Sequence, residues 1–78
     1  MDVRIPKLDM TTVEVEISDV HIANGQRIAK GDPLITIEGD KSSFELEAEA
    51  SGTVHDLGVA KGDVKTVGDL ICRIEEEG

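Results

Sequence analysis

Large aromatic residues are almost absent from this sequence, which has neither tryptophan nor tyrosine and only one phenylalanine, Phe44. Its apolar residues are mostly valine, isoleucine and leucine, and they are spread along the whole chain in a way that favours strands. A core built from such side chains is thin, as between two small sheets packed close together. The length of 78 residues is enough for one small domain, 1–78, and no more.

Cysteine and histidine are also scarce. Cys72 is the only cysteine, which excludes an internal disulfide. It lies in the strand-like run 70–74, where we expect a small buried thiol. His21 and His55 have no partner residues at the spacing of metal ligands, so we expect them at surface or half-buried positions and predict no metal site.

Basic residues are few: 8 lysines and arginines stand against 17 acidic residues, for a net charge of −9. This balance argues against binding to nucleic acid or to anionic membranes and favours partners with basic surfaces. The acidic side chains fall on strand faces and turns, so we expect a solvated face rather than a catalytic carboxylate pair. No run is long enough to span a membrane, and the start does not resemble a signal peptide. We therefore expect a cytoplasmic (bacterial or archaeal) protein, or a mitochondrial matrix protein if the source is eukaryotic.

The chain repeats itself at a distance of 37 positions, without a gap. Seven pairs are identical: Asp19/Asp56, Ala23/Ala60, Gly25/Gly62, Gly31/Gly68, Asp32/Asp69, Ile37/Ile74 and Glu38/Glu75. The repeat predicts two copies of one strand-turn unit, about 1–40 and 41–78, which bury their apolar faces against each other. Symmetric packing of the two halves would give an approximate two-fold axis.

The coarse prediction is an all-β protein. The strand candidates are 2–8, 13–22, 27–29, 33–38, 43–49, 52–58, 64–66 and 70–76. Asn24-Gly25 is a hairpin-turn signal, and Lys61-Gly62 is its counterpart in the repeat. Residues 42–50 begin like a capped helix, but their apolar and glutamate residues alternate strictly, which indicates a strand.

One hairpin presents a lysine. If 33–38 and 43–49 pair with Asp40 and Lys41 at the centre of the loop, Ile37 faces Phe44 and apolar residues meet apolar residues throughout. Lys41 then lies at the tip of the hairpin, exposed and suited to covalent attachment. The repeat mates of Lys41 are the chain ends, so we expect the tip at the opposite end of the domain from both termini.

The residues around Lys41 resemble those of a known family. The segment Asp40-Lys41-Ser42-Ser43 is followed by Leu46, Gly52 and Val54 and preceded by Gly31, Leu34 and Ile37, and the opening segment 5–10 is also similar. Together they resemble the lipoyl domains of 2-oxo acid dehydrogenase complexes, within the wider biotinyl/lipoyl attachment family. The resemblance covers essentially the whole chain.

The resemblance implies a flattened barrel-sandwich of two small antiparallel sheets with pseudo-two-fold symmetry. It implies that a lipoate ligase or lipoyl transferase attaches lipoic acid to Lys41 through an amide. The arm would take an acyl group from a thiamine-diphosphate-dependent decarboxylase and pass it to an acyltransferase core and coenzyme A, after which dihydrolipoyl dehydrogenase would reoxidise it. The chain would then be a non-catalytic carrier, monomeric in isolation, within a dihydrolipoyl acyltransferase or free-standing.

The neighbours of Lys41 are candidates for recognition and for shaping the turn. These residues are Glu38, Gly39, Asp40, Ser42 and Ser43. An adjacent carboxylate stabilises the ammonium form of a lysine, so Asp40 would serve recognition and turn geometry rather than activation. The alternative is that Asp40 is simply a turn-forming residue.

Two other functions compete with the lipoyl carrier. A biotin carrier domain should share the fold, but biotin acceptors resemble Met-Lys-Met or Met-Lys-Leu, whereas Lys41 stands between Asp40 and Ser42. An unmodified barrel-sandwich module for assembly would leave Lys41 as an ordinary turn lysine. The sequence is equally compatible with pyruvate, 2-oxoglutarate, branched-chain 2-oxo acid and acetoin complexes.

Overall fold

The computed structural model of the chain describes residues 1–7, 13–39 and 43–76. Within these ranges the chain forms strands and no helix, and therefore no helix capable of crossing a membrane. The strands are β1 (Asp2–Arg4), β2 (Glu14–Val20), β3 (Arg27–Ile28), β4 (Pro33–Glu38), β5 (Ser43–Glu47), β6 (Gly52–His55), β7 (Val64–Thr66) and β8 (Leu70–Glu76). The all-β prediction is confirmed, with a strand at each predicted position.

The strands form two four-stranded antiparallel sheets that pack as a flattened sandwich. The first sheet has the order β1-β8-β6-β3 and the second has the order β5-β4-β2-β7. A shift of 37 positions carries β2, β3 and β4 onto β6, β7 and β8, and β1 takes in the first sheet the place that β5 takes in the second. The two sheets are therefore images of each other, which confirms the pseudo-two-fold symmetry expected from the repeat.

The core between the sheets is aliphatic. Its fully buried large side chains are Ile17, Leu34, Ile35, Ile37, Val54, Ile71, Cys72 and Ile74. Phe44, the only aromatic residue of the sequence, is 45% exposed, so no large aromatic side chain fills the centre. Cys72 is a free, buried thiol as expected, and burial raises its pKa.

Several strands are shorter than the sequence predicts, for identifiable backbone reasons. The pairing of β1 with β8 shifts register between Val3 and Arg4, and β1 ends there instead of continuing to residue 7. Pro6 follows two residues later and has no N–H to donate to a ladder. Strand β6 ends at His55 because Asp56 adopts a positive φ of 53°, which extended backbone does not allow.

The predicted turns form, but the prediction of a hairpin at Asn24-Gly25 is wrong. Gly25 has a φ of 84°, and the Gln26 N–H donates to the Ala23 carbonyl at 3.1 Å, so the chain does reverse here. The flanking strands β2 and β3 nevertheless belong to different sheets. The turn at Lys61-Gly62 likewise carries the chain from one sheet to the other. Turn residues encode a local reversal of the backbone and leave open which strands pair across it.

Candidate functional site

The β4–β5 hairpin is the one place, among the described strands, where consecutive strands pair within a sheet. Ile37 faces Phe44, Thr36 faces Glu45 and Ile35 faces Leu46. This is the register that the alternation of apolar and polar residues predicts. Glu38 and Ser43 form the last pair, so residues 39–42 connect the two strands.

Three of the predicted site residues, Asp40, Lys41 and Ser42, lie outside the described residues. The described flanks define where their connection starts and ends. The side chains of Glu38 and Ser43 are both exposed, and Gly39 is half-buried. The recognition and turn roles expected of these residues, and the attachment role of Lys41, stay predictions.

The first strand of the hairpin, β4, contacts a strand on each edge and the core on its inner face. Strand β4 pairs with β5 on one edge and with β2 on the other, and its inner residues Ile35 and Ile37 are completely buried. Strand β5 is an edge strand whose residues are mostly exposed. The connection that contains Lys41 therefore starts from a strand fixed in the core and returns along an accessible edge.

The N-terminus lies beside the end of this hairpin that is farther from Lys41. The Met1 ammonium group donates to the Ile74 carbonyl at 2.9 Å. Met1 also shares a shallow depression with Leu34 and Leu46, which lie near the end of the hairpin opposite to the Glu38–Ser43 pair. This placement agrees with the expected separation of the Lys41 connection from the N-terminus.

The two sheets differ in the charge of their outer faces. In the second sheet Glu14, Glu16, Glu38 and Glu45 are exposed and alternate with buried or core-facing residues, and we call these four residues the acidic face. Glu16 lies directly opposite Glu38. Like charges at directly opposed positions repel each other, so this pair stores unfavourable electrostatic energy.

On the first sheet, acidic and basic side chains neutralise each other. Arg73 lies between Asp2 and Asp56, with N–O distances of 3.4 and 3.6 Å, and Arg4 lies 3.6 Å from Asp2. No comparable ion pair reaches the acidic face within the described part of the chain. Alternating glutamates in the sequence predicted a solvated face, but only the pairing of β2 with β4 gathers them at the hairpin that carries Lys41.

The two histidines lie apart on the surface, His21 directly after β2 and His55 at the end of β6. His21 is exposed, with its Nε2 2.9 Å from the Thr36 hydroxyl, and the exposed His55 has its Nε2 2.9 Å from a Glu75 carboxylate oxygen. Among the described residues, no group of histidine, cysteine and acidic side chains is arranged to hold a metal ion. Both positions agree with the expected surface roles.

A comparison with family models gives a match over residues 1–74 to the biotin/lipoyl family, whose description is "Biotin-requiring enzyme". The chain belongs to the biotin/lipoyl attachment family. This match confirms the family resemblance drawn from the sequence.

Two curated relatives of the chain are named as acyltransferase components. The chain is 37% identical over 78 residues to the dihydrolipoyllysine-residue acetyltransferase component of the pyruvate dehydrogenase complex of Haemophilus influenzae. It is 34% identical over 74 residues to the lipoamide acyltransferase component of the branched-chain alpha-keto acid dehydrogenase complex of Bacillus subtilis. These alignments cover 100% and 95% of the chain but only 13% and 18% of the relatives.

A solved structure shares the fold. The lipoyl domain of the 2-oxoglutarate dehydrogenase complex of Azotobacter vinelandii superposes with a TM-score of 0.84 and 24% identity, covering 100% of this chain and 99% of that one. The flattened sandwich of two four-stranded sheets is thus the fold of that domain.

Proposed function

We propose that this chain is a lipoyl carrier domain, with lipoic acid in amide linkage to the side chain of Lys41. The observation that carries the proposal is the β4–β5 hairpin, in the predicted register, which brackets Lys41 between Glu38 and Ser43. An attachment lysine needs an accessible amine at a defined position. The buried strand β4 and the exposed side chains of Glu38 and Ser43 support the proposal that Lys41 meets that need.

Lipoate is favoured over biotin by two independent features. Lys41 stands between Asp40 and Ser42, unlike the methionine-flanked lysine of biotin acceptors. The curated relatives are named for dihydrolipoyllysine and lipoamide, although the family description mentions biotin. Biotin attachment is the second candidate, and an unmodified assembly module is the third.

The site as described fits an attached lipoyl arm. The Glu38 and Ser43 side chains that flank the Lys41 connection are exposed, and the amide would consume the only charge on the lysine side chain. When attached, the dithiolane supplies a disulfide that accepts an acyl group and is reduced. The chain itself provides the amide nitrogen, a fixed base for the arm and a surface that partners recognise.

In this proposal the domain is a substrate of enzymes rather than an enzyme. A lipoate ligase or lipoyl transferase modifies it, a thiamine-diphosphate-dependent decarboxylase acylates it, an acyltransferase core deacylates it with coenzyme A, and dihydrolipoyl dehydrogenase reoxidises it. Tethering keeps the intermediate at a high local concentration among these active sites. The domain itself would be monomeric and work in the cytoplasm, or in the mitochondrial matrix of a eukaryote.

The site of modification provides a direct test. After incubation with a lipoate ligase, ATP and lipoate, peptide fragmentation should place a single lipoyl group on Lys41. The other lysines, Lys7, Lys30, Lys61 and Lys65, should remain free. A lipoyl group on any of those four instead of Lys41 would refute the assignment.

The acidic face predicts a charge effect on recognition. Glu38→Lys should lower the kcat/KM of the lipoate ligase for the domain by about tenfold at low salt. The change reverses the charge directly before the 39–42 connection, so it should slow association with a basic partner surface. The matched control is Glu75→Lys, the repeat mate of Glu38 on the opposite sheet, which makes the same charge change and removes only an exposed contact with His55. Steady-state lipoylation at low and high salt measures both. Equal effects of the two changes would exclude a recognition role for the acidic face.

A further inference from the structure

The turn 23–26 contains the only asparagine and the only glutamine of the sequence, Asn24 and Gln26. The Asn24 Oδ1 atom accepts the Leu57 N–H at 2.8 Å, and this hydrogen bond joins the two halves of the repeat. The Gln26 Oε1 atom accepts the Ala23 N–H at 3.1 Å and closes the turn. Both side-chain amides of the chain therefore help to fix one turn, whose residues are all exposed to solvent.

Asn24 precedes a glycine, and an asparagine in this position can lose its amide group by reaction with its own backbone. The Gly25 nitrogen attacks Asn24 Cγ, the new N–Cγ bond closes a succinimide ring, and the Cγ–Nδ2 bond breaks. The Gly25 N–H proton leaves to solvent, and the departing nitrogen takes up a proton from solvent and leaves as ammonia. Water then opens the ring at either carbonyl, which leaves aspartate or isoaspartate. Glycine favours the attack because it has no Cβ atom to hinder the approach.

The hydrogen bonds of the turn oppose this reaction at both reacting groups. The Gly25 N–H donates to the Val54 carbonyl at 2.7 Å, and Val54 is completely buried in the core. The Val54 N–H donates in turn to the Gln26 carbonyl at 2.9 Å, so the turn continues the ladder between β3 and β6. Attack requires a Gly25 nitrogen that has lost its proton and an Asn24 side chain turned towards it. In the fold, both groups are instead bonded to the second half of the chain.

We propose that Asn24-Gly25 is a latent deamidation site, protected in the native domain by the hydrogen bonds of its own turn and exposed to reaction when that turn opens. Because residues 23–26 are exposed, shielding from water does not provide the protection. Isoaspartate would route the backbone through the former side-chain methylene, so the Gly25 N–H would no longer meet the Val54 carbonyl. A chain that ages while unfolded would therefore refold to a less stable domain. This property is independent of lipoate attachment to Lys41.

The rates of Asn24 deamidation in the folded and the unfolded domain test this protection. The whole domain is kept at one mildly alkaline pH, either in buffer or in guanidinium chloride, and peptide fragmentation follows the conversion to aspartate and isoaspartate. The rate in buffer should be about a hundredfold lower, because the reaction then requires opening of the turn. A peptide of residues 20–28, too short to form the fold, corrects for any effect of guanidinium chloride on the chemistry. Equal corrected rates for the folded and the unfolded domain would overturn the proposal.

Gln26→Ala separates protection by this turn from protection by the fold as a whole. It removes the acceptor of the Ala23 N–H, so Asn24 should deamidate about tenfold faster in the folded domain. The matched control is Asp63→Ala, at the repeat mate of Gln26, which removes the equivalent bond in the second half and should leave the rate unchanged. Equal acceleration by both variants would contradict the role of the turn. Should Gln26→Ala not fold, slow hydrogen exchange of the Gly25 N–H in the wild-type domain supports the proposal, and exchange as fast as in the peptide refutes it.

Discussion

Lys41→Arg is expected to give a fully folded domain that accepts no lipoate and supports no acyl transfer. The change retains positive charge and length, so turn geometry and partner electrostatics are nearly preserved. A guanidinium group stays protonated at any pH at which ligases work, and it does not form the amide that a lysine amine forms. The measurement is intact mass after ligase treatment, followed by reductive acylation with the decarboxylase of a 2-oxo acid complex.

The matched control for this change is Lys61→Arg, at the turn between β6 and β7 in the other half of the repeat. It should be lipoylated at the wild-type rate, because it leaves the β4–β5 hairpin untouched. Unfolding midpoints of both variants should equal that of the wild type, which separates loss of attachment from loss of folding. Residual lipoate on Lys41→Arg would show that another lysine is the attachment residue.

Gly52→Ala is expected to destabilise the domain by about 3 kcal/mol, a large share of the stability of a domain of this size. The added Cβ would overlap the Glu75 carbonyl oxygen, which is backbone of the neighbouring strand β8. Because β6 pairs with β8 on one edge and β3 on the other, the backbone has little room to shift. Urea unfolding followed by circular dichroism measures the free energy of unfolding.

Gly58→Ala is the control for this prediction. A Cβ atom at Gly58 would approach only the Asp56 and Ile71 carbonyl oxygens, both at 4.0 Å, which is ordinary van der Waals contact. Its cost should lie within about 1 kcal/mol of zero, and reduced freedom of the unfolded chain can make it stabilising. Similar losses of stability for the two variants would argue against close strand contact at Gly52.

The hairpin register was predictable from sequence because its alternation allows only one answer. A one-residue slip would set Ile37 against Glu45 and expose one whole set of apolar residues. The repeat was equally informative, since it relates β2, β3 and β4 to β6, β7 and β8 and so predicts two equivalent sheets. Both the alternation and the repeat constrain many residues at the same time, so few other arrangements fit them.

The assignment of strands to sheets was harder to predict from the sequence. Asn24-Gly25 and Lys61-Gly62 reverse the chain as predicted, but each turn joins strands of different sheets. Which strands pair across space depends on how the two halves pack, and local turn chemistry does not contain that information. The ends of β1 and β6 also followed from a register shift and from the backbone of Asp56.

The features of the candidate site likewise differ in how far the sequence alone could predict them. Lys41 was predictable from the sequence because the apolar/polar alternation of the two flanking strands sets one register, which puts Lys41 in the loop between them. The acidic face was not predictable from the sequence, because Glu16 and Glu38 are 22 positions apart and become neighbours only when β2 pairs with β4.

The most direct test of lipoyl attachment is the mass of the wild-type domain after parallel incubation with two ligases. One reaction contains lipoate ligase, ATP and lipoate, and the other contains biotin ligase, ATP and biotin. The account predicts a gain of one lipoyl group in the first reaction and no gain in the second. A gain only in the second reaction would identify a biotin carrier, and a folded domain with no gain in either would contradict the carrier function altogether.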